Sequence, residues 1–499
     1  MIMILNTFRK KLIATIIIFG VIEFLSYLGF LFPWLNQGIG GLLVIGILIL
    51  TIYKLEYGLM VVLSELLLGS FGYLFYWPIM DYKLSLRFVL WTVVLIIFLI
   101  KFLFKFLRKN EPNIYWQRIK NFSLLKYFGL LFLLIIIGLI TGLWQGFELT
   151  TIFLDFNAWL YFLLLFPVLA IYGQLNQRHL ERLKLIFGAA VIVISLKTIF
   201  LLFVFTHSLE VSGELYLWLR QNLIGEMTPT ANGWPRIFIQ SQIFPIIGFF
   251  LLFWFNRARL SGKEFFQIKN LWSWSLACLF ISIAIISFSR SFWVGLLAAG
   301  LFSLVLVWII YSFKKMLGIL SWSISTFLGG LLLIYLVVIF PYPQPGKFTA
   351  DFIDRVSNNQ EAALASRWSL LPVLSREIIR EPFLGQGFGA TITYISSDPR
   401  VLANHPSGEY TTYAFEWGYL DIALKIGILG VLVYLLLLGK LIQQGITKKT
   451  EENNYLKLGL SAGLVFLMVI NIFTPYLNHP LGIGFLILSS CLISQDRVY

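Results

Sequence analysis

Apolar residues along the chain fall in runs near the length a helix needs to cross a bilayer, about 20 residues. About fourteen such runs lie near 11–32, 38–53, 58–77, 87–106, 126–143, 156–173, 184–206, 236–256, 271–288, 291–312, 316–340, 413–438, 457–476 and 480–494. The second and the last are short enough to be re-entrant. The polar stretches between runs are brief, with one large exception. Residues 341–412 open with Pro341, Pro343 and Pro345, which cannot continue a helix. Within this loop, Gln360 to Arg380 is expected to be helical, with Trp368, Leu371 and Leu374 on one side and an interruption at Pro372. A second stretch, 207–235, leads into the sequence TANGWPR. The pattern predicts an all-α polytopic integral membrane protein of about 12–14 transmembrane helices. It divides into N-terminal helices (1–235), helices 236–340, a large loop (341–412) and C-terminal helices (413–499).

Composition agrees. Hydrophobic residues make up 59% and charged residues 12% of 499, against about 25% charged in soluble domains. The net charge of +14 would suit nucleic acid if it formed a patch, but it is distributed by topology. With the N-terminus (Arg9, Lys10, Lys11) in the cytoplasm, about two-thirds of the 38 lysines and arginines fall in cytoplasmic loops, as the positive-inside rule requires. The 341–412 loop then faces outward, both termini are cytoplasmic, and no nucleic acid is implied. The first run is too long for a signal-peptide core and reads as a retained helix. Cys278 and Cys491 lie in apolar runs and offer neither disulfide nor metal spacing.

Basic residues are scarce on the outer side, so those present there are candidates. Arg290, in SFSRSFW, falls between two apolar runs at the membrane–water boundary. Arg236 is placed at the start of the eighth helix on the same face. Arg367, Arg376 and Arg380 lie in the long loop. Guanidinium forks at one depth suit phosphate or pyrophosphate; singly, each could equally snorkel to headgroups. REPFLGQGFGA brings Gly385, Gly387 and Gly389, which allow close backbone approach to a ligand, or form a plain turn. His405, in ANHPSGEY, could take a proton from a hydroxyl. Glu416 follows. Asp421 and Lys425, four residues apart in an apolar run, are spaced as a structural ion pair. Glu23 and Glu65 have no assigned role. The chain shows no Walker loop, no His/Cys metal cluster and no large cytoplasmic domain. Phosphate chemistry would therefore act outside, on a lipid-carried donor, with no metal or other cofactor.

Three patches together resemble the O-antigen ligase/polymerase family of bacterial membrane glycosyltransferases: IISFSRSFWVGLLAAG, SRWSLLPVLSREIIREPFLGQGFGA and YLDIALKIGILGVLVYLL, within about residues 230–440. The resemblance implies an inner-membrane enzyme of lipopolysaccharide or exopolysaccharide assembly. Such an enzyme moves a glycan from undecaprenyl pyrophosphate at the periplasmic face to a lipid acceptor (ligase) or a further glycan (polymerase). It implies that Arg290 and Arg236 hold the donor pyrophosphate, and that Arg367, with Arg376, Arg380, Gly385 and Gly387, belongs to the loop's donor or acceptor surface. Where the family's ligases place a histidine before YL, this chain has Glu416 and Trp417, so the base is Glu416 or His405. After Arg236 the family's Gly and Asn-Pro-Asn are missing; both departures lean toward a polymerase or a divergent transferase. The alternative from another class is a small-anion, bicarbonate-like transporter, for which the intramembrane charges would line a path; a glycan-binding scaffold would need no base.

Overall fold

The computed structural model describes residues 2–80, 82–107, 113–230, 234–257, 268–342, 362–447 and 454–495. Expectations placed on Pro343, Pro345 and Gln360 lie outside these residues, as does part of TANGWPR.

Each apolar run contains helix, although the third is helical only to Leu68 and the eighth only after the strand that ends at Ile239. In chain order the helices are α1 (Ile2–Leu31), α2 (Pro33–Tyr53), α3 (Leu55–Leu68), α4 (Leu86–Leu107), α5 (Ile114–Lys120), α6 (Leu125–Trp144), α7 (Leu149–Phe156), α8 (Leu165–Tyr172), α9 (Gln177–Thr206), α10 (Ser212–Gln221), α11 (Ile243–Arg257), α12 (Ile268–Ile286), α13 (Arg290–Ile310), α14 (Phe313–Ile339), α15 (Ala362–Arg380), α16 (Pro399–Asn404), α17 (Gly418–Thr447), α18 (Asn454–Ile470) and α19 (Pro480–Ser494). Among the described residues, eight helices are long and apolar enough to cross a membrane. They become nine if Leu149–Phe156 and Trp159–Tyr172, bent by 46°, form one broken span; four apolar helices are shorter. The fold is that of an all-α polytopic membrane protein. The second run forms a full helix of 21 residues.

Six short strands form three antiparallel hairpins, none of them foreseen: β1 (Tyr76–Ile79) with β2 (Tyr82–Ser85), β3 (Gly225–Pro229) with β4 (Pro235–Ile239), and β5 (Ile392–Ile395) with β6 (Glu409–Thr412).

Polar contacts fix which helix ends share a side. At one end Asn36 donates to the Tyr76 carbonyl (2.9 Å), Tyr27 to Glu214 (2.7 Å), Lys83 to the Gln221 carbonyl (3.0 Å), and Tyr476 to the Gln240 carbonyl (3.2 Å). At the other end Lys101 donates to the carbonyls of Thr51 and Ile52 (2.8 and 2.7 Å), Arg182 to Glu56 (2.6 Å), Lys184 to Tyr455 (3.3 Å), and Lys457 to the Gln495 carbonyl (2.7 Å). The hairpins and the loop helix thus gather at one end, opposite the lysine-rich one.

Two acids of the apolar helices are paired with cations, as charge in hydrocarbon favours. Glu23 of α1 meets Lys197 of α9 at 2.6 Å. Glu65 of α3 takes Arg87 of α4 in a two-pronged contact (2.8 and 3.2 Å), while Arg87 also donates to the Ser70 carbonyl (2.6 Å).

Candidate functional site

The SFSRSFW motif spans the three-residue link Ser287–Ser289 between α12 and α13 and the first turn of α13. So short a link needs local hydrogen-bond partners, and the serines supply them. Ser287 Oγ donates to the Ala284 carbonyl (2.8 Å) and accepts from Ser289 N (3.2 Å), and the Ser289 and Ser291 hydroxyls bond at 3.0 Å. Trp293 Nε1 donates back to the Ala284 carbonyl (2.9 Å). Phe288 takes φ +47°, unusual for a bulky residue, and is held there by complete burial between Trp234 and Trp293. Arg290 follows as the first residue of α13, half-buried, where the helix dipole is positive.

Arg236 is not at the start of a helix. Pro229 and Pro235 face each other across β3–β4, and the chain stays extended to Ile239; α11 begins after it. The strand delivers Arg236 to the serine turn, where its Nε donates to the Ser287 carbonyl (3.3 Å) and its guanidinium lies over Phe238. The two arginines therefore share one turn.

A third element, 471–479 between α18 and α19, completes the arrangement. Its polar sequence, NIFTPYLNHP, was the available signal. Thr474 bonds Ser291 (3.3 Å), and Phe473 packs on Trp417 just before α17. Trp417 in turn packs on Trp368 and donates Nε1 to the Arg367 carbonyl (3.1 Å). Arg367 forms an ion pair with Glu416. Arg367 and Glu416 are thus linked through two aromatic rings to the turn carrying Arg290. His479 closes the segment, its Nδ1 accepting from Leu481 N at the start of α19. Burial, reinforced by the Arg87 charge, lowers its pKa to about 3, so it stays neutral and able to accept.

His405 is elsewhere. It is exposed beyond the Glu409 end of β6, whereas Glu416 follows the Thr412 end. The strand that lies between them in the chain spans roughly 10 Å from Glu409 to Thr412.

The loop helix runs unbroken through Pro372 as α15. Leu370, Leu374 and Ile378 face the protein, while Trp368 is exposed. Arg376 and Arg380 lie on the exposed face, and Arg380 pairs with Glu377 at 2.8 Å. Along α15 they stand roughly 13 and 20 Å beyond Arg367, so the structure does not bring them to the serine turn.

Gly385, Gly387 and Gly389 all have positive φ and are buried, the first two against the protein's own backbone and Gly389 against Ile152 and Phe147. A Cβ at Gly385 would lie 2.6 Å from both Gly427 N and Leu424 O, and one at Gly387 would strike Gly142 of α6. Helix α17 breaks at Ile426–Gly427, Gly427 at φ +72°. The glycine loop satisfies the backbone groups that the break frees: Gln386 N donates to Leu424 O (2.7 Å) and Ile428 N to Pro382 O (2.8 Å), while Phe388 N donates to Gly138 O of α6 (3.1 Å).

Lys425 does not pair with Asp421. It reaches Asp155 of α7 at 2.6 Å and donates also to the carbonyls of Ala390 (2.9 Å) and Tyr413 (3.0 Å). All three ammonium protons are thereby used. Asp155 additionally accepts from Gly389 N (2.8 Å). The helix break tilts Lys425 toward the loop, and Asp421 instead accepts from Asn478 (2.5 Å).

A bundle of apolar helices carrying paired internal charges, with arginines gathered at the end that holds the hairpins, defines a polytopic membrane protein. Residues 275–435, about a third of the chain, match the family model described as O-Antigen ligase. That span runs from α12 through the serine turn and the loop into α17, and it agrees with the resemblance of the sequence motifs. No curated protein matches the chain.

Proposed function

We propose that the chain transfers a glycan from polyprenyl pyrophosphate to a hydroxyl acceptor at the membrane face holding the hairpins. The observation that carries this reading is the shared serine turn: Arg236 bonded to Ser287 and Arg290 heading α13, three residues apart from it. Two guanidinium groups beside a helix N-terminus favour the charge that grows on a departing pyrophosphate. The acceptor oxygen attacks the anomeric carbon as the bond to pyrophosphate breaks, inverting the centre. The acceptor proton goes to a carboxylate, and polyprenyl pyrophosphate leaves. Glu416 takes that proton in this reading, because its contacts run toward Arg290 and those of His405 do not. Arg367 then serves as its counter-ion. The step asks nothing of a metal.

The test is a paired substitution, assayed with purified lipid-linked donor. Glu416→Gln is expected to lose roughly a hundredfold or more in turnover, the usual share of a general base, with His405→Ala near normal. The reverse outcome makes the hairpin histidine the base.

The face is tested by labelling. Cys278 and Cys491 are buried and should stay silent. Exposed Ser407→Cys should react with an impermeant maleimide applied to intact cells, and Thr447→Cys only after permeabilisation. The opposite pattern would put the site in the cytoplasm. Whether the acceptor is a lipid or another repeat unit is read from glycan gels after gene deletion. Single repeats retained without long chains mark a polymerase; loss of all attached glycan marks a ligase.

A further inference from the structure

The exposed face of α15 and the turn after it carries Trp368, Pro372, Arg376, Ile379, Arg380 and Phe383, a helical stripe at spacings of three and four. Ile379 is 74% exposed and Phe383 69%, with Leu384 beside them. A contiguous apolar surface of this kind is not left to water.

Two helices fix its depth. Pro382 and Phe383 bond the backbone of Ile428 and Leu429 in α17, a 30-residue helix. If α17 is centred in the bilayer, Gly427 lies roughly 8 Å from the midplane at 1.5 Å per residue. Phe388 bonds Gly138 of α6, a 20-residue helix, which places that contact roughly 5 Å from the centre of α6. Both depths fall within the half-thickness of about 15 Å of hydrocarbon. The glycine loop is therefore re-entrant. Irregular backbone survives at such depth only where protein satisfies it, and α6 and α17 do so here.

We infer that the outward face of α15 lies in the leaflet on the loop side, with Ile379, Phe383 and Leu384 in hydrocarbon and Arg376 and Arg380 binding the phosphate of an anionic phospholipid seated there. Arg376 and Arg380 flank Ile379, and Phe383 follows Arg380 by three residues, so guanidinium and apolar side chains share one face within a helical turn of each other, close enough for one lipid to offer phosphate to the first and acyl chain to the second. The inference stands whether or not the chain is a transferase.

The test uses the full chain with Cys278 and Cys491 replaced by alanine, spin-labelled singly and reconstituted in phosphatidylglycerol/phosphatidylcholine vesicles. Leu436→Cys, on an exposed stretch of α17, is the hydrocarbon reference and Ser407→Cys the aqueous one; their expected values also report correct folding. Labels at Ile379 and Phe383 should match Leu436, open to oxygen and shielded from a water-soluble nickel chelate. Values matching Ser407 overturn the placement. In native mass spectrometry, Arg376→Gln/Arg380→Gln should retain phosphatidylglycerol at least fivefold less well, with phosphatidylcholine unchanged. Unchanged phosphatidylglycerol overturns the headgroup site, and if retention of polyprenyl pyrophosphate falls instead, the site belongs to that carrier.

Discussion

Arg290→Ala is expected to abolish glycan transfer while the protein still inserts and folds. Helix α13 is held by contacts other than this side chain: Phe292 is buried against Phe238, Phe466 and Tyr476, and Gly295 lies against Phe466 and Ile470. The loss falls on the transition state, where charge moves onto pyrophosphate. Removing one organised donor at such a point costs roughly a hundredfold to a thousandfold in rate. Arg290→Lys should recover little, because an ammonium is a point charge without the guanidinium fork. Initial rates in membranes containing equal amounts of each variant decide the matter. Full activity in Arg290→Ala would reduce the residue to an interfacial anchor.

The largest effect on stability is expected at Lys425. Lys425→Met removes three hydrogen bonds at once and leaves the Asp155 carboxylate buried beside α17 with only Gly389 N for company. Breaking a buried pair by deleting one partner costs about 3–5 kcal/mol. Asp155→Asn/Lys425→Met, which removes both charges, should recover much of that loss. Thermal unfolding of detergent-solubilised protein, followed by size-exclusion chromatography, would show Lys425→Met melting well below the double variant. Equal midpoints for Lys425→Met and wild type would mean that the pair does not hold the loop. Exposed Arg376→Gln, by comparison, should melt like wild type.

The spans were legible because burial in lipid is a one-dimensional constraint that each run meets by itself. The partition of helix ends was also legible, since lysine placement records it: Lys101, Lys184 and Lys457 all turn up at one end. The link carrying Arg290 and its serines was legible because it is contiguous in sequence, between two apolar runs. What pairs with what could not. Lys425 had a carboxylate four residues away, and nothing local shows that a break at Gly427 turns it toward Asp155, hundreds of residues earlier. The three loop glycines announced a close approach without naming the partner, which is the backbone of α17 for Gly385, that of α6 for Gly387, and Phe147 and Ile152 for Gly389. Strands of four or five residues, such as the one carrying Arg236, are too short for an alternating pattern to stand out beside an apolar helix. Pro372 looked like a breaker, yet α15 accommodates it on the exposed face.

The most direct measurement reconstitutes the purified chain in vesicles with undecaprenyl-pyrophosphate-linked glycan and a glycan or lipid acceptor, with a chelator present. The expected result is glycan joined to acceptor with stoichiometric release of undecaprenyl pyrophosphate, lost in Arg290→Ala. No transfer to any acceptor, together with Arg290-dependent uptake of labelled bicarbonate by the same vesicles, would contradict a transferase and make the chain an anion transporter.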